Sequence, residues 1–571
     1  MVCANNGSLH YHKGINADLI YIQHNLKYKL HLRYYFYCFF KNLTNVKIQL
    51  NRWLRKCGKS TNQLMKRSTI YPTLLASMML SLVFISCDDK DDDMGPVIDM
   101  PGTAPEVSFT ALTSDNKILM YDAQNLTTPT SSVDVTGLGS GEMIVSIDYR
   151  PATGQLYALS SMSRLYHINE NSGAATALGT TAFTPAYNGA NPSLDFNPTV
   201  DRVRLVTESG QNLRLHPELG TVVAIDGSIN GGMNPRIGAV AYSNSFSGTT
   251  TTTLYDIDFE QDKLYKQVPP NDGGLEEVGD LGVDFDGMGD MDINPDNSVA
   301  LAVNRSDDET RLYTIDLSTG EAMWVGTFSA PVVSIAFKTN PIAYATCLDN
   351  RLYRFDPTSP SPLAVDIMGL KDGEKIVGLD FRPVNGQLLA VSNMSQLYSV
   401  NPSSGAITPI GDPFMPAAMG TYIGFDFNPT VDRIRLITDQ GQNLRLHPDL
   451  GTVAFVDGSL SPGTPMASGA AYTKNFAGTT STALYVVDAQ TDMLYQVSPP
   501  NDGILVEIGP LGIDITDDNG FDVGGTSDMA YGVFTVGGAS GVYSINLMTG
   551  AATKVSDLNF TPNSMALGLG F

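Results

Sequence analysis

Aspartates recur at one fixed place in the short apolar runs of this chain, next to the final apolar residue. They give Asp148, Asp195 and Asp292 in the first half and Asp380, Asp426 and Asp522 in the second, while Ala241, Ala336, Ala471 and Gly570 take that place in the other runs. If the runs are neighbouring strands around an axis, three carboxylates per half converge at one level, and such hard oxygen donors suit calcium. The preferred alternative is local: each aspartate accepts backbone N–H bonds from the proline-containing turn that follows, as in DYRP, DFNP and DFRP. Asp290, Asp292, Asn294 and Asp296 imitate a calcium loop, but Pro295 stands where such a loop needs glycine and Leu301 where it needs glutamate.

A second constellation lies in FNPTVDRVRLVTESGQNLRLHPELGTVVAIDGS, residues 196–228, which recurs at 427–459 with the same residue at 25 of 33 positions. It gathers Asp201, Arg202, Arg204, Asn212, Arg214 and His216, matched by Asp432, Arg433, Arg435, Asn443, Arg445 and His447. Asn212, Arg214 and His216 alternate with leucines and so share one face of a strand. The arginines could take a ligand carboxylate or sulfate in a two-pronged grip. They could equally pair with Asp201 or Asp432 and hold neighbouring sheets together, which is the favoured reading, with the histidines capping turns.

Familiar catalytic signatures are missing: no nucleophile elbow, phosphate-cradling glycine loop, HExxH or dinucleotide fingerprint occurs. Beyond Cys87 only His167, His216 and His447 remain for acid–base or zinc chemistry. Long acidic loops, PPNDGGLEEVGDLGVDFDG from Pro269 and its counterpart from Pro499, are where a ligand would be expected to dock.

The 571 residues exceed one ordinary core. The formal charge of −24 conceals a split, since residues 88–571 hold 23 Lys/Arg against 58 Asp/Glu, a formal charge of −35. So acidic a body argues against nucleic acid as a partner. Residues 65–87, MKRSTIYPTLLASMMLSLVFISC, have a basic start, a short apolar run and small residues before a cysteine, and resemble a bacterial lipoprotein signal. Cys87 would then carry the lipid and tie the protein to a membrane, DDKDDD and the residues to Pro105 would form an acidic tether, and residues 1–64 would reflect a start assigned too early. The resemblance of the tether to acidic export tags implies an outer-membrane lipoprotein of the bacterial envelope, surface-exposed or periplasmic. With Cys347 the one cysteine left after Cys87, a disulfide framework is excluded.

The elements that must position these residues follow from repetition. A motif of the form Leu-Tyr-x-apolar-Asp/Asn recurs ten times, at spacings of 40 to 58 residues, from ILMYDAQNL at Ile118 to VYSINLMTG at Val542. One unit, residues 374–411, contains IVGLDF, QLLAV, QLYSV and AITPI separated by Pro, Asn, Ser and Gly. Four short β-rich runs joined by turn residues predict four antiparallel strands, one blade of a β-propeller. The first unit starts at its second strand, so VVSIAF at 332–337 or MALGLGF at 565–571 must supply the missing one. The first choice gives two tandem five-bladed propellers, residues 106–338 and 339–571, and is preferred; the second gives a single ten-bladed ring.

The segments LTSDNKILMYD, GLDFRPVNGQLLAVS, FDFNPTVDRIRL, GQNLRLHP, AGTTSTALYVVD and NDGILVEIGPLG resemble a bacterial family of domains known as domain of unknown function 4394. The resemblance covers about 109–338 and 342–571. It implies a repeated β domain, often secreted or lipid-anchored, and brings no catalytic residues. The expected function is a lipid-anchored, non-enzymatic binding or scaffold protein for a carbohydrate, peptide or protein. The alternatives are a calcium-dependent hydrolase or lactonase-like enzyme and a structural component of the envelope.

Overall fold

A computed structural model describes residues 102–571. The signal-like segment, Cys87 and everything before them lie outside the described residues. Every element from Ser108 to Leu567 is a β-strand, and the strands form ten four-stranded antiparallel sheets. Among the described residues there is no helix, in keeping with the lack of 3.6-residue periodicity.

The 374–411 unit shows how the sequence dictates a sheet. Its four runs become the strands Ile376–Arg382, Gln387–Ser392, Leu397–Val400 and Ile407–Ile410, paired in that order. The first two are buried almost throughout, whereas the last has its two central residues exposed. A strand covered on both faces needs an unbroken apolar run, and IVGLDF supplies one. The exposed strand ends the sheet with Thr408 and Pro409, polar and non-donating residues that blunt a free edge. Tight turns between strands use residues that tolerate positive φ, among them Asn116, Asn350 and the paired Asp201 and Asp432 at φ 50°.

Eight sheets use four consecutive strands, and two do not. Val332–Ala336 pairs with Ser108–Thr113, opposing Thr110 to Ala336 and Ala111 to Ile335. Pro562–Leu567 likewise pairs with Ala343–Cys347, opposing Tyr344 to Ala566. Each half therefore supplies the strand that its own first sheet lacks.

The buried first strands of successive sheets also lie against one another, and their polar atoms cross between them. The amide of Ile147 donates to Ser334 Oγ at 3.0 Å, that of Leu194 to Ser146 Oγ at 3.1 Å and that of Val240 to Ser193 Oγ at 3.0 Å. The step from the fourth sheet to the fifth is apolar, with Ala239 and Ala241 in one cluster with Met291 and Ile293. Apolar clusters fill the spaces between sheets all along the chain, such as Tyr157, Leu159 and Leu165 with Leu194, Phe196 and Val203. Burial at about 25 cal/mol per Å² of apolar surface makes these clusters the main source of stability.

The halves touch as well. Gly568 and Gly570 lie on the Arg150–Gln155 turn, so closely that a Cβ on Gly570 would stand 1.9 Å from the Gly154 carbonyl. Gly570 therefore does not occupy the axial position expected for it. Ala566 takes that position instead, just before Leu567, whose amide donates to Asp522, because the sheet ends at Leu567 and the final glycines turn towards the other half.

Candidate functional site

The six aspartates come together as two triads. In Asp148, Asp195 and Asp292, and again in Asp380, Asp426 and Asp522, one carboxylate oxygen of each lies within 4.8 Å of the other two, and all six residues are buried. Their hydrogen bonds explain the spacing of the motif. Asp148 accepts the amide of its neighbour Tyr149 at 2.7 Å with one oxygen and, with the other, that of Phe196 in the next sheet at 2.8 Å. Asp292 does the same with Ile293 and Phe337, both at 2.6 Å. In the second half Asp380 spans Phe381 and Phe427, both at 2.7 Å, and Asp522 spans Val523 at 2.6 Å and Leu567 at 2.5 Å. Asp195 and Asp426 accept Tyr242 and Tyr472 at 3.2 and 3.1 Å.

The acceptor role expected from the turns thus takes a different form. In Asp148, Asp292, Asp380 and Asp522 one oxygen serves the next residue and the other reaches across to a neighbouring sheet, whereas Asp195 and Asp426 accept only the cross-sheet amide, so each aspartate fastens two inner strands. The two readings of the sequence are compatible, since bridging strands is what brings the carboxylates together. Burial pushes Asp292 and Asp522 up to about 7. It pushes Asp148 and Asp195 well above the usual carboxylate range too, with the charge of neighbouring aspartates adding to it. Three dry carboxylates hold a shared proton or a cation more readily than three negative charges.

Asp290 belongs to the same region, although its calcium-loop pattern does not form one. It accepts Ser193 Oγ at 2.8 Å and also Ser334 Oγ, and burial pushes it up to about 8. The second half has Gly520 at the corresponding place, where a Cβ would be 2.4 Å from the amide nitrogen of Met565.

The duplicated block builds two further centres in each half. Arg150, fully buried, grips both oxygens of Asp201, reaches Glu218 Oε1 at 3.1 Å and donates to the Gly386 carbonyl of the other half at 2.9 Å. Arg382 holds Asp432 and Asp449 in the same manner. Burial opposes the charge on both arginines, and their carboxylates outweigh it. Arg204 donates to Tyr242 OH, Asn212 Oδ1, Asp226 Oδ2 and Asn271 Oδ1 at 2.5 to 3.3 Å, while Arg214 takes both oxygens of Asp226 at 2.7 and 2.9 Å. Arg435, Asn443, Arg445, Asp457, Asn501 and Tyr472 repeat the network.

The polar residues singled out in the block are all engaged within the fold. Asn212 Nδ2 donates to the carbonyls of Gly227 and Pro270, and Asn443 Nδ2 to those of Gly458 and Pro500. Arg202 and Arg433 donate to the carbonyls of Asp201 and Asp432. His216 Nδ1 and His447 Nδ1 accept the amides of Glu218 and Asp449 at 3.3 Å. Burial, then Arg202 and Arg150, lower His216 to about 4. The loops from Pro269 and Pro499 are clasped through Asn271 and Asn501 to Arg204 and Arg435, so their first residues close a sheet interface.

Sequence reasoning missed the arginines outside the block and the acids that complete it. Arg150 and Arg382 were visible in DYRP and DFRP, one residue on from a tyrosine or phenylalanine that follows a triad aspartate. Asp226 and Asp457 were visible as the duplicated Asp-Gly-Ser that closes the block. Nothing signalled Asp256, buried with neither carboxylate oxygen hydrogen-bonded, at the place filled by Val486 in the other half.

With this geometry in view, the comparisons with known proteins decide the family. The model of a domain of unknown function, DUF4394, matches residues 117–336 and again 351–568. The chain belongs to the DUF4394 family. Its two copies coincide with the two runs of five sheets, and the boundary falls where the strand pairing changes over. No curated protein matches this DUF4394 chain in sequence. Among solved structures, one described as the structure of the Dos1 propeller matches over 59% of this chain and 91% of its own, at 12% identity and a TM-score of 0.23.

Proposed function

We propose that this DUF4394 protein is a lipid-anchored, non-enzymatic scaffold of the bacterial envelope, built of two five-bladed β-propellers that present loops to a carbohydrate, peptide or protein partner. One observation carries the reading: the side chains best suited to chemistry are spent on holding sheets to one another. Arg150, Arg204, Asp201, Asp226 and the axial aspartates each have partners inside the fold, and the duplicated counterparts repeat them. A catalytic arrangement would leave a nucleophile or base facing a cleft. The count of five blades per ring is supported by strand pairing, since Val332–Ala336 and Pro562–Leu567 each complete the first sheet of their own half. The lipid anchor rests on the sequence that ends at Cys87.

Fractionation tests the anchor: Cys87→Ser should move the protein from membranes to the soluble fraction, and unchanged membrane retention would defeat it. Binding is tested by presenting the purified mature protein to arrays of envelope glycans and peptides, with failure to retain any of them counting against a binding role.

A second reading has its own observation, the two carboxylate triads within 4.8 Å. A calcium ion held there would fasten the inner strands and could support hydrolytic chemistry at the ring axis. Metal analysis separates the two. One calcium per half, lost from the first half in Asp195→Ala, favours this second reading, and protein purified from calcium-containing buffer without bound metal rejects it.

A further inference from the structure

Where the two halves meet, a cavity of about 460 Å³ opens beside the linking residues Thr339–Ile342. Arg354 forms part of its wall and is only 7% exposed. Its Nη1 donates to the carbonyls of Pro402 and Ser403 at 3.3 and 3.1 Å, while its Nε is buried without a partner. Burial disfavours the charge of this guanidinium, and the one group set against that is the Tyr344 phenol, not a carboxylate. The contrast with Arg150, Arg204 and Arg382 is sharp, because each of those grips at least one carboxylate.

The fold does not require an arginine there. In the first sheet of the other half, the same place in the third strand is taken by Met120, the fourth residue of KILMYD as Arg354 is of RLYRF. The backbone opposite is kept bare by Gly248, at φ +96°, where a Cβ would stand 3.5 Å from Nε and Cζ of Arg354. A buried, unpaired guanidinium is costly to hold in a fold, and a cavity wall is where a ligand anion would relieve that cost.

The rest of the wall narrows the ligand. Phe246, Pro341 and Leu363 give it apolar patches, and Ser247, Ser359 and Ser361 give it hydroxyls. Asp356 lies on the wall too, and its Oδ1 is already occupied by the amide and hydroxyl of Thr358 at 2.7 and 2.6 Å. A carboxylate facing this cavity accepts from hydroxyl donors and repels a second anion. The molecule that suits both ends has one carboxylate for Arg354 and hydroxyls for Asp356, with a C–H face to lie on Phe246.

We propose that the cavity beside Arg354 binds a sugar acid, its carboxylate paired with the guanidinium and its hydroxyls facing Asp356 and the serines. The proposal rests on reading the protein as a binder, yet it can fail alone, since glycans or peptides retained at another face would leave that reading standing.

Calorimetric titration of the mature protein with glucuronate, glucose and acetate tests it, alongside Arg354→Met, which installs the residue of the other half. Glucuronate should bind, glucose and acetate should bind at least about tenfold more weakly, and the variant should lose glucuronate binding by a similar factor. The folded variant should melt no lower than the wild type, because it sheds an unpaired buried charge, whereas a merely structural arginine would lower the melting temperature on removal. Glucuronate that fails to bind, or binds the folded variant equally well, overturns the proposal. Acetate as tight as glucuronate overturns the sugar-acid assignment.

Discussion

The amide of Phe337 donates to the carboxylate of Asp292 across 2.6 Å, joining the strand that ends the first half to the sheet before it. The second half repeats this between Leu567 and Asp522 at 2.5 Å. Both contacts lie where each half completes its own first sheet, because Phe337 and Leu567 follow or end the strands that complete those sheets.

Removing such a bridge leaves two buried N–H groups without acceptors. Asp522→Ala should therefore lower the stability of the second half by about 2–4 kcal/mol, from the usual cost of unsatisfied buried donors. Asp522→Asn keeps an acceptor oxygen and removes a buried charge, so it should cost less. Urea unfolding of both variants checks the order, and an alanine variant as stable as wild type would mean that the bridge is ornamental.

Arg204 joins Asp226, Asn212 and the loop residue Asn271 in one buried network. Arg204→Met strips Asp226 of one of its two arginines and should cost about 3–5 kcal/mol, the range for breaking a buried ion pair. It should also free the loop that begins at Pro269, giving faster proteolytic nicking near Asn271 while the same loop of the second half, held by Arg435, stays protected. Equal cutting of both loops would contradict the clasp.

How much of this was legible beforehand depends on the range of the interaction. The four-strand unit, the second-strand start of the first unit at Phe109 and the two candidate closing strands follow from local patterns, since apolar runs and turn residues lie next to one another in sequence. Which strand closes which sheet did not, because 565–571 and 332–337 have similar composition and only strand pairing separates them. The Asp triads were legible as a series but their cross-strand bonds were not, as the partner Phe196 stands 48 residues beyond Asp148. Gly570 was misplaced for a related reason: LGLG continues the apolar run past the end of the strand at Leu567.

His216 supplies a pH test. Burial, Arg202 and Arg150 hold its folded value near 4, below the ordinary 6.5, against a weaker opposing pull from Asp201. The folded state thus binds fewer protons than the unfolded one between about pH 6.5 and 4, and stability falls as the solution is acidified through that window. The loss at pH 5 is of the order of 1 kcal/mol once solvent screening of this partly accessible ring is allowed for. His216→Asn, which keeps a side chain able to accept the Glu218 amide, should flatten the difference in melting temperature between pH 7 and pH 5. An undiminished difference would place the proton elsewhere.

Ring closure within each half is the claim on which the rest depends, and cysteine cross-linking measures it directly. Thr110 opposes Ala336, whereas in a single ring of ten sheets it would take the place of Tyr344 opposite Ala566. With Cys347 replaced by serine, oxidised Thr110→Cys/Ala336→Cys should show a 110–336 disulfide by peptide mass spectrometry, and Thr110→Cys/Ala566→Cys should stay reduced. A disulfide confined to the 110–566 pair would contradict two separately closed halves.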